Sequence, residues 1–355
     1  MKVLLLCPDL KGAGGVANYY RGLELQKESN IDSFYVNKVG ASGIKSLIVM
    51  FFKWCNFFFK CSSYDIIHVN PSLDFKSFIR DAGFIFLAKI RNKKVVTFFR
   101  GWEDGFEDKI RRSSILKRIL ILSYDKTDLF IFLGKIFHDK YLSISNKTEV
   151  RHCFETTLAD EKLLDGFNIE TKLLPKNKIS LVFISRIIEA KGVIRAIDTL
   201  KILRKTLGNK VELCIIGDGP DLKMSKNYVE EKGIDGVEFA GYLIGQEKVD
   251  AMQTKNIMIF PTLYGEGMPN SILEGMLMGM PIITSSVAAI PDVVTNQNGL
   301  VDPEVNPNRM ALFIQDLVGN TEAFNRMVKN NHEKAKAFYV TEKVRTRILN
   351  YYSKL

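Results

Sequence analysis

The chain has 355 residues, of which 46% are hydrophobic and 25% charged, and a formal net charge of +10. This composition excludes a disordered or low-complexity protein. The length predicts two domains, because a single hydrophobic core rarely grows beyond about 250–300 residues. The basic charge favours anionic partners such as nucleotides, phosphorylated lipids, membrane surfaces or nucleic acid, and does not distinguish among them.

The five cysteines are scattered without a C-x-x-C pair, which predicts reduced thiols in a cytoplasmic protein. The N-terminal apolar core is too short for a signal peptide and no small-residue cleavage site follows it. No uncharged apolar run approaches about 18 residues, so the sequence predicts no transmembrane helix.

Short apolar segments alternate with helical patterns from one end of the chain to the other. Their continuous hydrophobicity predicts strands buried on both faces of parallel sheets, and the helical patterns between them predict βαβ units. The predicted strands are Lys2–Cys7, Ser33–Val36, Asp65–Val69, Lys94–Phe99, Asp128–Leu133, Ile179–Ser185, Val211–Gly217, Val237–Gly241, Asn256–Pro261 and Pro281–Thr284. The sequence therefore predicts an α/β protein with two Rossmann-like, doubly wound domains facing across a cleft, where the carboxyl ends of the strands bind ligands. The first domain comprises residues 1–155 with a C-terminal helix, 338–355, that packs back on it, and the second comprises residues 156–337.

A glycine-rich loop follows the first predicted strand. Gly12, Gly14 and Ala17 fit the dinucleotide fingerprint G-x-G-x-x-A, which raises the alternative of an NAD(P)-dependent enzyme. That alternative requires an acidic residue at the end of the second predicted strand, where this chain has Asn37. We therefore interpret the segment as a glycine-lined phosphate or acceptor loop, or as a tight turn.

Two further features lie in the first half of the chain. The segment Ile44–Lys60 predicts a helix with phenylalanines on one side and lysines around it. It is either a docking surface for an anionic bilayer or a buried helix of the first domain, and the sequence leaves both open. Arg100 follows the fourth predicted strand, at a position where a cleft residue is expected.

Two cations follow the first strand of the second domain. Arg186 and Lys191 lie in the segment SRIIEAKG, on the loop or first helical turn after that strand. A guanidinium fork and an ammonium point charge suit a diphosphate, and they would stabilise the charge on a leaving nucleoside diphosphate. The alternative is a pair of solvated surface cations.

Two glutamates, Glu266 and Glu274, stand in the segment PTLYGEGMPNSILEGMLMGMPIIT with seven residues between them. Flanking glycines allow a ligand to approach the backbone, and a helix predicted to begin near Asn270 would present amides that attract phosphate. Both carboxylates could accept hydrogen bonds from sugar hydroxyls. The alternative is a solvated loop glutamate followed by an ordinary helix glutamate.

The sequence predicts no metal site and no nucleophile–base arrangement. It contains no D-x-D triplet and no G-x-S-x-G segment, and its four histidines are dispersed.

The second domain resembles the nucleotide-sugar domain of family 4 glycosyltransferases, which have the GT-B fold. The segments SRIIEAKG, IIGDGP, FAGYL and PTLYGEGMPNSILEGMLMGMPIITS match the family's elements in order, and the resemblance covers Ile179–Pro303. It implies that Arg186 and Lys191 bind the donor diphosphate, that Glu266 contacts the donor sugar and that Glu274 holds the ribose. The other residues placed at the donor by this resemblance are Gly14, Gly15, Gly241, Gly267, Met268, Pro269 and Asn270.

The resemblance further implies metal-independent transfer with retention of anomeric configuration, and no cofactor. In many relatives a histidine after the fourth strand touches the donor sugar or acceptor, whereas this chain has Arg100 there. An arginine stays protonated and is a poor general base, so the donor phosphate becomes the expected proton acceptor.

The sequence therefore predicts a retaining glycosyltransferase that uses a nucleoside-diphosphate sugar and a saccharide or lipid-linked saccharide acceptor. Its expected role is bacterial cell-surface polysaccharide synthesis, in the cytoplasm or on the inner face of the membrane with peripheral contact through the first domain. The alternatives are a GT-B sugar-nucleotide epimerase and a non-catalytic nucleotide-binding protein. No motif supports nucleic-acid binding.

Overall fold

The computed structural model describes residues 1–12, 14–36, 44–174, 178–265 and 267–355, and for residues 44–47 it describes the backbone only. The chain divides into two compact units, and each is a Rossmann-like α/β domain. The first unit comprises Met1–Thr156 and Glu342–Leu355, and the second comprises Thr157–Thr341. The boundaries expected from the sequence lay at 155 and 337.

The first unit contains a parallel sheet of six strands with helices between them. In chain order its strands are β1 (Val3–Cys7), β2 (Ile31–Tyr35), β3 (Ile66–Val69), β4 (Ser72–Leu73), β5 (Lys94–Phe98), β6 (Gly101–Trp102), β7 (Leu129–Phe132) and β8 (His152–Phe154). Its helices before the second unit are α1 (Gly15–Leu23), α2 (Ile44–Lys60), α3 (Phe75–Ile90), α4 (Asp104–Arg112), α5 (Ser114–Leu122) and α6 (Lys135–Ile144). The order in the main sheet is β2-β1-β3-β5-β7-β8, and β4 pairs with β6 separately.

The second unit contains another parallel sheet of six strands. Its strands are β9 (Ile179–Ile184), β10 (Val211–Ile216), β11 (Val237–Gly241), β12 (Ile257–Phe260), β13 (Ile282–Thr284) and β14 (Gly299–Val301). Its helices are α7 (Val193–Leu207), α8 (Leu222–Glu231), α9 (Gly245–Gln253), α10 (Asn270–Leu277), α11 (Ile290–Val293), α12 (Pro307–Gly319) and α13 (Thr321–Phe338), and α14 (Thr341–Ser353) follows. The order β11-β10-β9-β12-β13-β14 reverses direction between β9 and β12, which is the point where doubly wound sheets bind ligands.

All ten strands expected from continuous hydrophobicity are present and pair in parallel. Every residue of β1, β3, β7 and β12 is buried, because helices cover both faces of each sheet. The pattern did not predict β8 and β14, which are three-residue strands at sheet edges and remain partly exposed.

The helix α2 has one buried face and one exposed face. Phe57 is fully buried, and the indole of Trp54 donates from Nε1 to the carbonyl of Arg80 on α3 at 3.2 Å. By contrast, Phe52 and Phe59 are 66% and 72% exposed. The buried face agrees with a helix of the first domain, whereas docking on a bilayer stays a prediction for the exposed face. Among the described residues, no helix is both long and apolar enough to cross a bilayer.

The C-terminal helix α14 packs on the first unit, as expected from the sequence. Tyr352 is buried, and its hydroxyl lies 2.5 Å from Nδ1 of His68 on β3. Burial lowers the pKa of His68 to about 3, so the imidazole pairs in its neutral form. Arg347 forms two hydrogen bonds of 2.8 and 2.7 Å with the carboxylate of Glu155.

Candidate functional site

The loops after β9 and β12 meet beside the point where the strand order of the second unit reverses. The amide of Leu263, after β12, donates to the carbonyl of Ala190, after β9, at 2.7 Å. The loop after β10 joins them, since the amide of Ile187 donates to the carbonyl of Asp218 at 2.9 Å. Three backbone segments at the carboxyl end of the sheet are therefore linked directly to one another.

Gly192 permits the close contact between the first two of these loops. Its φ is +89°, a left-handed conformation that favours glycine. A Cβ at this position would lie 2.1 Å from the carbonyl oxygen of Pro261, far inside van der Waals contact. Gly217, in the turn after β10, has the same role, because its Cβ would lie 1.8 Å from the carbonyl oxygen of Ser185. We conclude that these glycines set the spacing of the loops.

Arg186 and Lys191 both lie on the loop after β9, in different environments. The side chain of Arg186 is exposed, whereas Lys191 is half-buried. The Nζ of Lys191 lies 4.5 Å from the ring centroid of Tyr264 and 5.9 Å from that of Phe260. Burial lowers the pKa of Lys191 to about 8, so its ammonium form still predominates at neutral pH. Cation–π contact with these rings, on and after β12, holds a positive charge beside the site.

Glu274 lies on α10 and is only 6% exposed. Burial raises the pKa of its carboxyl group, and the ammonium of Lys248 opposes that shift. The Nζ of Lys248 donates to Oε1 of Glu274 at 2.7 Å, so the carboxylate already has one cationic partner. Glu266 lies outside the described residues, as does Asn37.

The segment from Gly267 to Asn270 leads from β12 into α10. Met268 is 4% exposed, and its carbonyl accepts a hydrogen bond from Oγ1 of Thr157 at 3.1 Å. Asn270 is exposed and is the first residue of α10, with Pro269 as the preceding cap. No side chain of the described residues caps this helix start, so first-turn amides are left without a side-chain acceptor there.

Gly241 ends β11 with a φ of +75°, and its carbonyl accepts from the amide of Gly217 at 2.7 Å. It therefore lies beside the loops described above.

The remaining candidates lie in the first unit. Gly14 caps α1 with a φ of +138°, and at neither Gly14 nor Gly15 would an added Cβ have a heavy atom within 4 Å among the described residues. The loop before them is held by Arg21, whose Nη2 donates to the carbonyls of Leu10 and Gly12 at 2.6 and 2.7 Å. The start of α1 therefore has room for a ligand close to its backbone.

Arg100 contacts two aromatic rings that meet edge to face. Its guanidinium carbon lies 3.9 Å from the ring centroid of Tyr19, on α1, and 4.4 Å from that of Phe98, at the end of β5. Its Nε and Nη1 atoms and the hydroxyl of Tyr19 are buried, and none has a hydrogen-bond partner within the described parts of the chain. The arginine is thus fixed in orientation while retaining hydrogen-bonding capacity.

Comparison with known proteins identifies the kind of enzyme. Residues 166–334 match the family model of glycosyl transferases group 1. An uncharacterized glycosyltransferase of Methanocaldococcus jannaschii is 26% identical over 291 residues, which cover 76% of this chain and 72% of the relative. The amylovoran biosynthesis glycosyltransferase AmsK of Erwinia amylovora is 22% identical over 301 residues, covering 82% and 70% of the two chains. The protein is a glycosyltransferase.

Solved structures show that this transferase has the GT-B fold. The Anabaena HepE structure in complex with UDP aligns over 100% of both chains with a TM-score of 0.74 and 15% identity. The lipopolysaccharide outer core galactosyltransferase WaaB, in its apo form, also aligns over 100% of both chains, with a TM-score of 0.67 and 16% identity. At such low identity the likeness concerns the fold alone.

The structure of the transferase also shows a partner of a candidate site residue that sequence reasoning missed. Lys248 lies on α9, 26 positions before Glu274, and outside the signature segment that contains both glutamates. The sequence gives no signal for this pairing, because only the packing of α9 and α10 brings the two side chains together.

No group of three histidine, cysteine or acidic side chains suited to hold a metal ion occurs among the described residues of the transferase.

Proposed function

We propose that the protein transfers a sugar from a nucleoside-diphosphate sugar to a saccharide or lipid-linked saccharide, with retention of anomeric configuration, in bacterial cell-surface polysaccharide synthesis. The main support is the loop after β9, which carries Arg186 and Lys191 at the point where the strand order reverses. Relatives named for amylovoran and colanic acid biosynthesis support the pathway.

The donor is expected to bind with its diphosphate against Arg186 and Lys191 and its ribose at Glu274. The amides at the start of α10 supply a further partial positive charge. Glu266 is proposed to contact the donor sugar. The two cations of this loop would balance the diphosphate charge, so we propose that transfer needs no divalent metal ion.

In the proposed reaction the bond between the anomeric carbon and the diphosphate oxygen breaks. The acceptor hydroxyl oxygen bonds to that carbon on the same face, and the hydroxyl proton passes to an oxygen of the departing phosphate. Arg100 supports this proton route, because a guanidinium stays protonated and cannot serve as the base. We place Arg100 on the acceptor side, where Nε and Nη1, which have no hydrogen-bond partner of regular geometry among the described residues, can donate to a phosphate or hydroxyl.

Peripheral membrane contact through the first unit is the second part of the proposal. On α2, Phe51, Phe52 and Phe59 are 59%, 66% and 72% exposed, and on the adjacent α3 Ile90 is 53% exposed. The exposed Arg91, at the end of α3, lies over the ring of a neighbouring α2 phenylalanine at 4.9 Å. Exposed aromatic rings bordered by cations fit an anionic bilayer, where a lipid-linked acceptor would reside.

The test is an assay of the full chain with a panel of nucleotide sugars, with and without saccharide acceptors. UDP-sugars come first, since the HepE structures contain UDP and UDP-glucose. We expect acceptor-dependent release of nucleoside diphosphate, an unchanged rate in the presence of EDTA, and a product whose anomeric configuration, read by NMR, matches the donor.

Substitution at the donor cations separates this proposal from its alternatives. Arg186→Ala is expected to lower kcat/KM by about 100-fold with unchanged thermal unfolding, because a charge-assisted contact to the leaving group is lost. Lys205→Ala, an exposed cation in the last turn of α7, is the matched control and should leave the rate unchanged. A changed sugar nucleotide formed without acceptor would favour an epimerase, and tight nucleotide binding without turnover would favour a non-catalytic role.

A further inference from the structure

Glu274 forms a buried ion pair with a lysine that lies outside the signature segment of the two glutamates. The Nζ of Lys248 lies 2.7 Å from Oε1 of Glu274, and the two side chains are 19% and 8% exposed. Lys248 is in the first part of α9 and Glu274 is in the middle of α10. The short 3-10 turn Glu161–Leu164 packs against both helices. The ion pair therefore lies between two helices that both pack against the same short turn.

Within the described parts of the chain, two charged groups influence this carboxylate. The first is Lys248, whose ammonium favours the ionised form, and the second is Asp160, the cap of the short turn, whose charge disfavours it. Burial is the largest influence and raises the pKa of Glu274. A buried carboxylate without a counter-charge takes up a proton rather than remain ionised in a medium of low polarity. Lys248 is thus the group that favours the ionised form of Glu274 against the effect of burial.

The geometry of the pair leaves acceptor capacity on the carboxylate. An ionised carboxylate offers about four lone-pair positions on its two oxygens. Lys248 occupies Oε1 from one side. The remaining positions suffice for both hydroxyls of a vicinal diol, and hydrogen bonds to a charged acceptor are roughly twice as strong as those to a neutral one.

We propose that Lys248 is a positioning residue for the nucleotide, which holds Glu274 in place and ionised so that this carboxylate accepts hydrogen bonds from the 2′- and 3′-hydroxyls of the donor ribose. The inference rests on the proposed donor role of Glu274. It gives Lys248 an effect on ribose recognition that a purely structural residue would not have.

The test compares the binding of nucleoside diphosphates that differ at the ribose. UDP and GDP are titrated by calorimetry, and the tighter of the two is compared with its 2′-deoxy form at pH 6.5, 7.5 and 8.5. Wild-type protein should prefer the ribonucleotide by about tenfold to hundredfold, because the deoxy form lacks one charge-assisted hydrogen bond. In Glu274→Ala this preference should disappear.

Lys248→Met should lose most of the preference at pH 6.5 and regain part of it toward pH 8.5, because a higher pH favours the ionised form of Glu274 when its cationic partner is missing. Lys248→Arg should keep the preference at every pH. Lys232→Met, which removes an exposed cation from the same unit, is the matched control and should behave like wild type. Lys248→Gln replaces the methionine variant if thermal unfolding shows that the latter does not fold.

The outcomes separate the two proposals. If Glu274→Ala leaves the ribose preference intact, the donor assignment fails, and the inference about Lys248 fails with it. If Glu274→Ala abolishes the preference while a folded Lys248→Met or Lys248→Gln variant retains it at every pH, the donor assignment stands and the role of Lys248 is overturned.

Discussion

Substitution of Gly192 by alanine is the sharpest test of how the site is assembled. The φ of +89° alone would cost an alanine about 1–2 kcal/mol. The added Cβ would lie 2.1 Å from the carbonyl oxygen of Pro261, whereas ordinary contact begins at 3.4 Å, so the two loops must separate by the difference of 1.3 Å. Such overpacking costs roughly 1–3 kcal/mol more. The variant should therefore fold, with its free energy of unfolding lowered by about 2–5 kcal/mol.

The same displacement should impair catalysis. A shift of that size breaks the 2.7 Å hydrogen bond between the amide of Leu263 and the carbonyl of Ala190, which joins the two loops. It also separates the ammonium of Lys191 from the ring of Tyr264, now 4.5 Å from its centroid. A misplacement of about 1 Å can reduce an enzymatic rate by about 100-fold. We expect kcat/KM to fall by roughly tenfold to hundredfold for Gly192→Ala.

A second glycine separates the loop contact from backbone strain. Gly233 has a φ of +55°, and no heavy atom of the described residues lies within 4 Å of the Cβ that alanine would add. Gly233→Ala should lower the free energy of unfolding by about 1–2 kcal/mol and leave kcat/KM unchanged. Urea unfolding and initial-rate kinetics of both variants provide the comparison. Equal losses of stability in the two variants, with normal kcat/KM for Gly192→Ala, would refute the argument that this contact positions the donor cations.

The pH dependence of stability and the binding of membranes supply two further predictions. Lys172 is 1% exposed, and burial lowers its pKa from 10.5 to about 7. Between pH 7 and pH 10.5 the unfolded chain therefore binds more protons than the folded protein, so the free energy of unfolding rises with pH in this interval. The difference in free energy of unfolding between wild type and Lys172→Met should therefore change in favour of wild type by roughly 1 kcal/mol per pH unit from pH 7 to 9. If urea unfolding shows the same difference at every pH, this prediction is wrong. For the membrane, replacing Phe51 and Phe59 by serine should lower the affinity for vesicles containing phosphatidylglycerol, measured by co-sedimentation, by about tenfold to hundredfold. The reason is that each exposed ring contributes roughly 1 kcal/mol or more on insertion. Leu312→Ser, which removes a 58% exposed apolar side chain from the second unit, should have no effect, and equal losses in the two proteins would argue against a docking face on α2.

The strands of both sheets could be predicted because parallel strands are buried on both faces. The segments that became β1, β7 and β12 are continuous apolar runs, and this pattern depends only on local sequence. The strands β8 and β14 escaped prediction because each has only three residues and is partly exposed, so neither forms a continuous apolar run. The two faces of α2 could not be assigned from its composition, since phenylalanines occur on both the buried and the exposed face.

For the charged residues of the candidate site, the sequence predicted their positions on strands, loops and helices but not their contacts. The sequence places Arg186 and Lys191 after one strand and Glu274 on a helix after another, which follows from chain order and strand polarity. The aromatic contacts of Lys191 and Arg100 and the ion pair of Glu274 were not predictable. Each of these partners lies on a different element from the residue it contacts.

By itself, the sequence determined that this chain forms two doubly wound α/β domains, and its ordered segments between Ile179 and Pro303 pointed to a glycosyltransferase. Both properties depend on local hydrophobicity and on the spacing of residues along the chain, which a single sequence contains. Only the tertiary structure decided which charges have partners, above all that Lys248 pairs with the buried Glu274. The physical reason is that an ion pair depends on distance and burial in space, and packing of α9 and α10 sets both.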